Sequence, residues 1–347
     1  MQEKYRIVAV GKENARLVGT VFRALYGEDF PVRDVYQPAA LLREIRNGEL
    51  TAALAIDAAD RPVGYISFFK STPNPCLWEA GNMLVVPEHA RSGVAGLLTQ
   101  YYFDPTMCRL TDSDGIFGEA VCCHYFTQVG AIKAGLVDCA LELDQLDGAS
   151  FKDGKSNKAG LARVSCVLNF VELSDPVASE YLPARYEEWL RRLAAPLRPR
   201  TFHVSTASLP SAGETVREEK YYDFAKTWKV AVRSIGGDWT AAVANLLTEA
   251  ARRQVVSLQV AVNTACPAAG AAVEVLREQG FFFCGLAPRW FGTDGVLMQK
   301  LSGTEPNFEE TKLYSDTARD LLQFIRQDRE AVLTEKPQTA GKDSNCR

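Results

Sequence analysis

LVVPEHARSGVAGLL, residues 84–98, carries a branched apolar run that stops at Pro87, a short polar loop with Arg91, Ser92 and Gly93, and then an apolar stretch of helical character. A strand that turns through small residues into a helix makes an anion site. The first-turn amides have no partner within the helix, and the macrodipole places partial positive charge there. Small residues at Ser92, Gly93 and Ala95 let a diphosphate approach the backbone, and Arg91 can add a charge-assisted contact. No acid falls between Ala90 and Gly96, where it would repel phosphate. The competing reading is a turn that merely needs glycine. The order of the surrounding elements decides between them.

Working outward, a strand is predicted at Tyr5–Val10, and Leu17, Val18, Val21, Phe22 and Leu25 mark a helical stripe after it. Pro38 opens a second helix that Gly48 can close. TAALAID and PVGYISFFK flank the turn AADR as an antiparallel hairpin. A strand from Leu77 to Val86 feeds the loop, and a helix runs from about Ser92 to Tyr102. IFGEAVCC is a short strand and HYFTQVGAIKAG a helix ended by Gly135; VDCALELDQL and ARVSCVLNFVEL follow as strands. Alternation implies parallel pairing in the later part and the hairpin requires antiparallel pairing, so the fold class is α/β (α+β) with a mixed sheet.

This order resembles the GNAT superfamily of acyl-CoA-dependent N-acyltransferases. The family mark V-x-P-x-x-[QR]-x-x-G-x-[GA] lies over Val85 to Ala95, with Val85 taken as its first valine and Ala90 at the Gln/Arg position. The resemblance implies acetyl-CoA or another acyl-CoA as cosubstrate, its diphosphate held by Arg91, Ser92, Gly93, Val94 and Ala95. It also implies a gap between the strand ending at Val86 and IFGEAVCC, where Leu84, Val85 and Val86 meet the pantetheine arm as a neighbouring strand would. A strand N–H there would polarise the thioester carbonyl. The acceptor would be an amine on a small molecule or peptide, acylated by direct attack.

Direct attack needs a base and help for the departing thiolate. Glu79 lies on the strand before the loop, eleven residues ahead of Ala90, where family members with a glutamate base carry it. Period-two alternation groups it with Gly81, Met83 and Val85, and Trp78 and Met83 beside it would raise its pKa. The competing role is a strand-end acid facing water. The family's tyrosine acid is replaced by Ala131. His124 stands where the family has a helix-opening asparagine that reaches the cofactor, with Tyr125 adjoining it. His124 is a proton donor or cofactor contact in one reading and a helix-start packing residue in the other. Glu119 is a further carboxylate candidate, and Cys122-Cys123 read as a buried thiol pair.

The second part is read as a helix YLPARYEEWLRRLAAPL, a loop STASLPSAGETVREEK, and a β-α-β-α-β-β series that repeats the end of the first. Expected units are a GNAT domain at 1–175, a degenerate GNAT-like half at 176–335 and a disordered tail at 336–347. The loop matching the phosphate site, RSIGGDWTAAV, places Asp238 at a helix N-terminus as its N-cap, where it would contest an anion. This half is therefore expected not to bind CoA but to wall the acceptor pocket or pair the two sheets. Phe281-Phe282-Phe283, Trp290 and Phe291 read as core or interface.

The totals set bounds. The 347 residues favour two domains, and nine cysteines with three histidines offer no zinc spacing, so no metal is expected. A net charge of −4 argues against nucleic acid. No apolar run reaches the roughly 18 residues of a membrane helix, and MQEKYRIVAVGKENAR lacks a secretory pattern, so a cytoplasmic protein away from membranes is expected. A homo-oligomer is compatible with these features. The functional alternative to an N-acyltransferase is a non-catalytic CoA-binding sensor or interaction module.

Overall fold

The structure, a computed structural model, describes residues 4–103, 113–151, 160–176 and 178–335. The first half runs β1 (Tyr5–Ala9), α1 (Ala15–Tyr26), α2 (Pro38–Arg46), β2 (Leu50–Asp57), β3 (Pro62–Phe69), β4 (Leu77–Val85), α3 (Val94–Phe103), β5 (Gly115–Val121), α4 (Phe126–Lys133), β6 (Val137–Asp147) and β7 (Arg163–Glu172). This is the predicted order. The hairpin forms because Asp57 accepts the N–H groups of Ala59 and Arg61 (both 2.9 Å), which closes the turn between β2 and β3. Val18, Val21 and Phe22 of the α1 stripe are buried, and Phe22 meets Tyr65 of β3 edge-on. Three residues further along β3, Phe68 packs on Tyr102 of α3. Strand alternation thus sets α1 and α3 on opposite faces of the sheet.

The second half departs from the sequence reading at its start. The segment read as one helix from Tyr181 begins as β8 (Ser179–Pro183), and only Glu187–Ala194 forms α5. Pro183 ends the strand, and Glu180 within it is buried against Thr264 and the Asp294 N–H. β9 (Thr201–Ser205) pairs with β8 in parallel. The stretch read as a loop contains β10 (Val216–Tyr222), whose polar sequence suits a sheet edge. β11 (Thr227–Ser234), α6 (Trp239–Arg252), β12 (Ser257–Asn263), α7 (Ala269–Glu278), β13 (Phe282–Ala287), β14 (Gly295–Leu301) and α8 (Asp316–Glu335) complete it. The tail expected at 336–347 lies outside the described residues.

One twelve-stranded mixed sheet runs through both halves in the order β1-β2-β3-β4-β5-β7-β6-β13-β14-β12-β11-β10. Read from its far edge, the second half repeats the first: β10, β11, β12, β14 and β13 take the places of β3, β4, β5, β7 and β6. The pairing senses agree: β4–β5 and β11–β12 are parallel, and their flanking pairs are antiparallel. The halves meet at β6–β13, where Gly285 opposes Ala140. Gly285 has φ 137, and a Cβ there would lie 2.4 Å from the Cys139 carbonyl oxygen. A second seam is ionic. Buried Arg200 joins Glu172, at the end of β7, to Asp294 before β14.

The sheet is strongly curled. Lys229 of β11 forms an ion pair with Glu119 of β5, although five strands separate them in the sheet order. At about 4.8 Å per strand a flat sheet would hold them nearly 30 Å apart. Trp290 closes on Phe117 (ring centroids 5.0 Å), and Thr227 donates to the Gln145 carbonyl. The aromatic run is therefore core and interface: Phe281, Phe282 and Phe283 are buried and Phe283 stacks on Tyr186. Among the described residues no helix is long and apolar enough to cross a membrane, and no cluster of metal-ligating side chains is present.

Candidate active site

β4 and β5 pair in parallel only at Leu77–Gly115, Trp78–Ile116 and Glu79–Phe117. Beyond Glu79 they diverge as a fork. The cause lies partly in β4, where Asn82 and Met83 together oppose Ile66 as a bulge and Asn82 takes the left-handed φ of 51. The bulge breaks the simple alternation: the register returns Leu84, not Met83 or Val85, to the face of Glu79 and Gly81. Met83 is largely exposed. Val86 differs from expectation too, since its N–H bonds the Val63 carbonyl and its carbonyl accepts from His89 N–H (both 2.9 Å). Antiparallel alternation then turns the N–H and C=O of Val85 into the fork.

At the top of the fork, α3 opens outward. Its first ladder bond is Leu97 N–H to Gly93 O (3.1 Å), which leaves the amides of Val94, Ala95 and Gly96 ahead of the ladder. Arg91, Gly93, Ala95 and Gly96 are exposed, Val94 is buried beneath them, and a Cβ at Gly96 would meet nothing within 4 Å. The Ser92 hydroxyl oxygen is buried without a hydrogen-bond partner. An anion fits this donor set. Gly96 belongs to the mouth although the sequence reading stopped at Ala95. His89 does not reach toward it: its Nδ1 is hydrogen-bonded to the Tyr5 hydroxyl at 2.8 Å.

At the foot of the fork, Glu79 accepts from Ser71 Oγ (2.5 Å). It faces Glu119 on β5 and, across the curled sheet, Lys229. Lys229 pairs with both Glu119 and Glu142, and Gln145 Nε2 donates to Glu119. Burial, then the Glu119 charge, pushes the Glu79 carboxyl up to about 7, with Lys229 opposing. The same causes push Glu142 up to about 8. The three carboxylates outnumber Lys229 and Lys220, and the Glu119 and Glu142 charges hold Lys229 protonated against its own burial. Trp78 and Met83, expected to raise Glu79, are not what does so. Lys229, Glu142 and Ser71 escaped the sequence reading. One signal was present: a tryptophan followed by a charged residue near the start of a strand, Trp78-Glu79 and Trp228-Lys229.

His124 and Tyr125 lie elsewhere. Val121 ends β5 four residues past Phe117, roughly 13 Å along at about 3.3 Å per residue, and His124 lies beyond it. These two residues belong to the upper end of the fork, with the α3 mouth, and are not brought to Glu79. Tyr125 is 47% exposed. Gln128 ties the junction together, with Nε2 donating to the carbonyls of Val121, His124 and Lys312. Cys122 and Cys123 are buried, and burial pushes the Cys122 thiol far up, which suits packing rather than attack.

The corresponding mouth in the second half is shut. β11 and β12 stay paired for six residues, Thr227–Ser257 to Val232–Val262, so no fork opens. The chain at 211–215 fills the start of α6: Gly237 N–H bonds Ala212 and Gly213 carbonyls (both 3.1 Å), and Cβ atoms at Gly236 and Gly237 would strike that backbone at 2.5–2.6 Å. Asp238 occupies the N-cap position but makes no side-chain cap bond; it accepts from Thr215 N–H and Oγ1 instead.

The strand order, fork and helix mouth of residues 5–172 follow the arrangement expected from the sequence. No family model and no curated protein matches the chain. Several solved structures are similar, each over about half of it. A GNAT-family protein from Desulfovibrio desulfuricans is 16% identical with a TM-score of 0.37, covering 49% of this chain and 99% of its own. The ribosomal-protein-S5-alanine acetyltransferase of Vibrio fischeri is 12% identical with a TM-score of 0.39, covering 50% and 95%. The spermidine/spermine N-acetyltransferase SpeG of Vibrio cholerae is 12% identical with a TM-score of 0.36, covering 49% and 94%.

Proposed function

We propose that the protein is an N-acyltransferase that moves an acyl group from acetyl-CoA, or a related acyl-CoA, to an amine by direct attack. One observation carries this reading. A single fork has free helix amides at its mouth and, at its foot, a carboxyl that gains and loses its proton near neutrality.

The α3 amides, with Arg91 and the Ser92 hydroxyl, hold the diphosphate. Val85 pairs with the pantetheine as an adjacent strand would. Glu79 takes the proton of the entering ammonium, so the nitrogen attacks as a neutral amine. The C–N bond forms as the C–S bond breaks, a β4 amide stabilises the carbonyl oxygen, and the thiolate leaves with the electron pair. His124, with Tyr125 beside it, stands at the upper end of the fork as a contact to the coenzyme, and its distance from Glu79 removes it as the proton source for that thiolate.

The replacement of the family tyrosine by Ala131 favours a second reading, a protein that binds CoA without turnover. Titration calorimetry with CoA, paired with a transfer assay over an amine panel, tests both. Binding with transfer supports the enzyme, binding with complete silence supports the sensor, and no binding removes both.

A further inference from the structure

The curl of the sheet encloses a cavity of about 170 Å³ between the halves, beside the fork. Ser71, which holds Glu79, lines it, as do Glu142 and Lys229. Glu218, Glu219 and Lys220 add charge to its wall, and Ala231, Ala261 and Trp290 belong to its apolar part. Gln259 also lines it. That side chain is 1% exposed, and neither its Oε1 nor its Nε2 has a hydrogen-bond partner. Glu142, 2% exposed, has its Oε2 unpartnered as well. Lys229 and Gln259 are register neighbours on β11 and β12, so one end of the cavity presents an ammonium held by two glutamates and an unused carboxamide.

Buried polar groups are normally paired, and a carboxamide with both ends empty is complementary to a group that donates and accepts at once. A carboxylate offers acceptors only and would meet the glutamates, while an alkyl chain would leave Gln259 unpaired. The unpartnered Glu142 oxygen and the excess of Glu79, Glu119 and Glu142 over Lys229 and Lys220 suit a cation close to the same end. We infer that this cavity takes a compact primary amine bearing a neutral amide-like group, its amide paired with Gln259 and its ammonium directed to the carboxylates at the foot of the fork. The assignment of that amine as acyl acceptor rests on the acyltransferase reading; the cavity's selectivity does not.

Calorimetry on the full chain with γ-aminobutyramide, n-pentylamine and γ-aminobutyrate tests it. The amide is expected to bind at least about tenfold more tightly than either analogue, since a site built to hydrogen-bond a ligand rejects one that cannot. In Gln259→Leu that preference should vanish while the melting temperature of the unliganded protein holds or rises, because two buried unpaired polar atoms are removed. Equal binding of the three probes overturns the inference, as does a Gln259→Leu protein that melts earlier and keeps the preference. Preference for the amide without transfer from acetyl-CoA sinks the acyltransferase reading and leaves the site. CoA binding with no amine bound sinks the site and leaves the coenzyme reading.

Discussion

The two halves place the same elements in mirrored order along one sheet, yet they treat the space between their parallel strands in opposite ways. β4 and β5 part after three pairs and leave the α3 mouth open, whereas β11 and β12 hold six pairs and the chain at 211–215 closes the α6 mouth. The third residue of each leading strand, Glu79 and Lys229, follows a tryptophan in both, and the curl points the two at a common carboxylate cluster. A repeated scaffold therefore supplies one open fork and one closed one. The function belongs to the local geometry, not to the fold as such.

The largest expected effect tests whether Glu79 sets the halves apart chemically. Glu79→Gln should lower kcat by roughly 10²–10⁴-fold, the usual worth of a general base, with CoA affinity unchanged. In the parent, activity should rise with pH through about 7, because the carboxylate is the working form. Lys229→Met removes the opposing cation and should move that limb to higher pH. A limb that stays in place would separate Lys229 from the proton chemistry.

Breaking the seam comes next. Gly285→Ala forces a Cβ against the β6 backbone at a positive φ and should cost about 3 kcal/mol or more in denaturant unfolding. A cost below about 1 kcal/mol would mean that the other contacts between the halves, the Arg200 seam among them, carry the junction.

The mouth comparison predicts a smaller change. Gly93 has φ 90, where glutamate or aspartate is strained, so Gly96 is the place for a charge. Gly96→Asp should weaken CoA by roughly tenfold or more, since about 1.4 kcal/mol of repulsion at a helix N-terminus suffices. Gly96→Ala should keep the affinity and stabilise α3 by about 0.5–1 kcal/mol. Equal affinity in both variants would remove the phosphate assignment. At the other mouth, Asp238→Ala should cost only about 1 kcal/mol and confer no second CoA site, because backbone still fills it.

The mildest effect is on stability against pH. Glu79 and Glu142 bind protons more tightly folded, at about 7 and about 8, than the roughly 4.3 of an unfolded glutamate. The folded chain thus holds extra protons between those values, and unfolding free energy should fall as pH rises from about 5 to 8. Glu79→Gln with Glu142→Gln should flatten part of that slope. The buried Glu180, also raised to about 8, contributes in the same direction, as do Asp138 and Asp144, which burial raises too.

Much of the fork was legible in the sequence. Branched residues to Val86, a proline stop, acid-free small residues and a following apolar stripe specify strand, loop and helix by local rules alone. Glu79 was found by its spacing from the loop, but the cause of its raised proton affinity was misread. Alternation placed Met83 and Val85 beside it, and a one-residue bulge at Asn82 undid that. β8 and β10 were missed for related reasons. Glu180 and the charged run from Arg217 to Lys220 look solvated until a partner strand or a buried threonine accounts for them.

The sequence by itself determined the elements, their order and the open helix mouth, because each depends on steric and hydrogen-bonding preferences a few residues long. Only the tertiary structure decided that β4 and β5 part while β11 and β12 do not, and that Lys229 reaches Glu119 and Glu142 from the other half. Those outcomes depend on register, curl and desolvation summed over residues more than a hundred positions apart, and no local pattern records them.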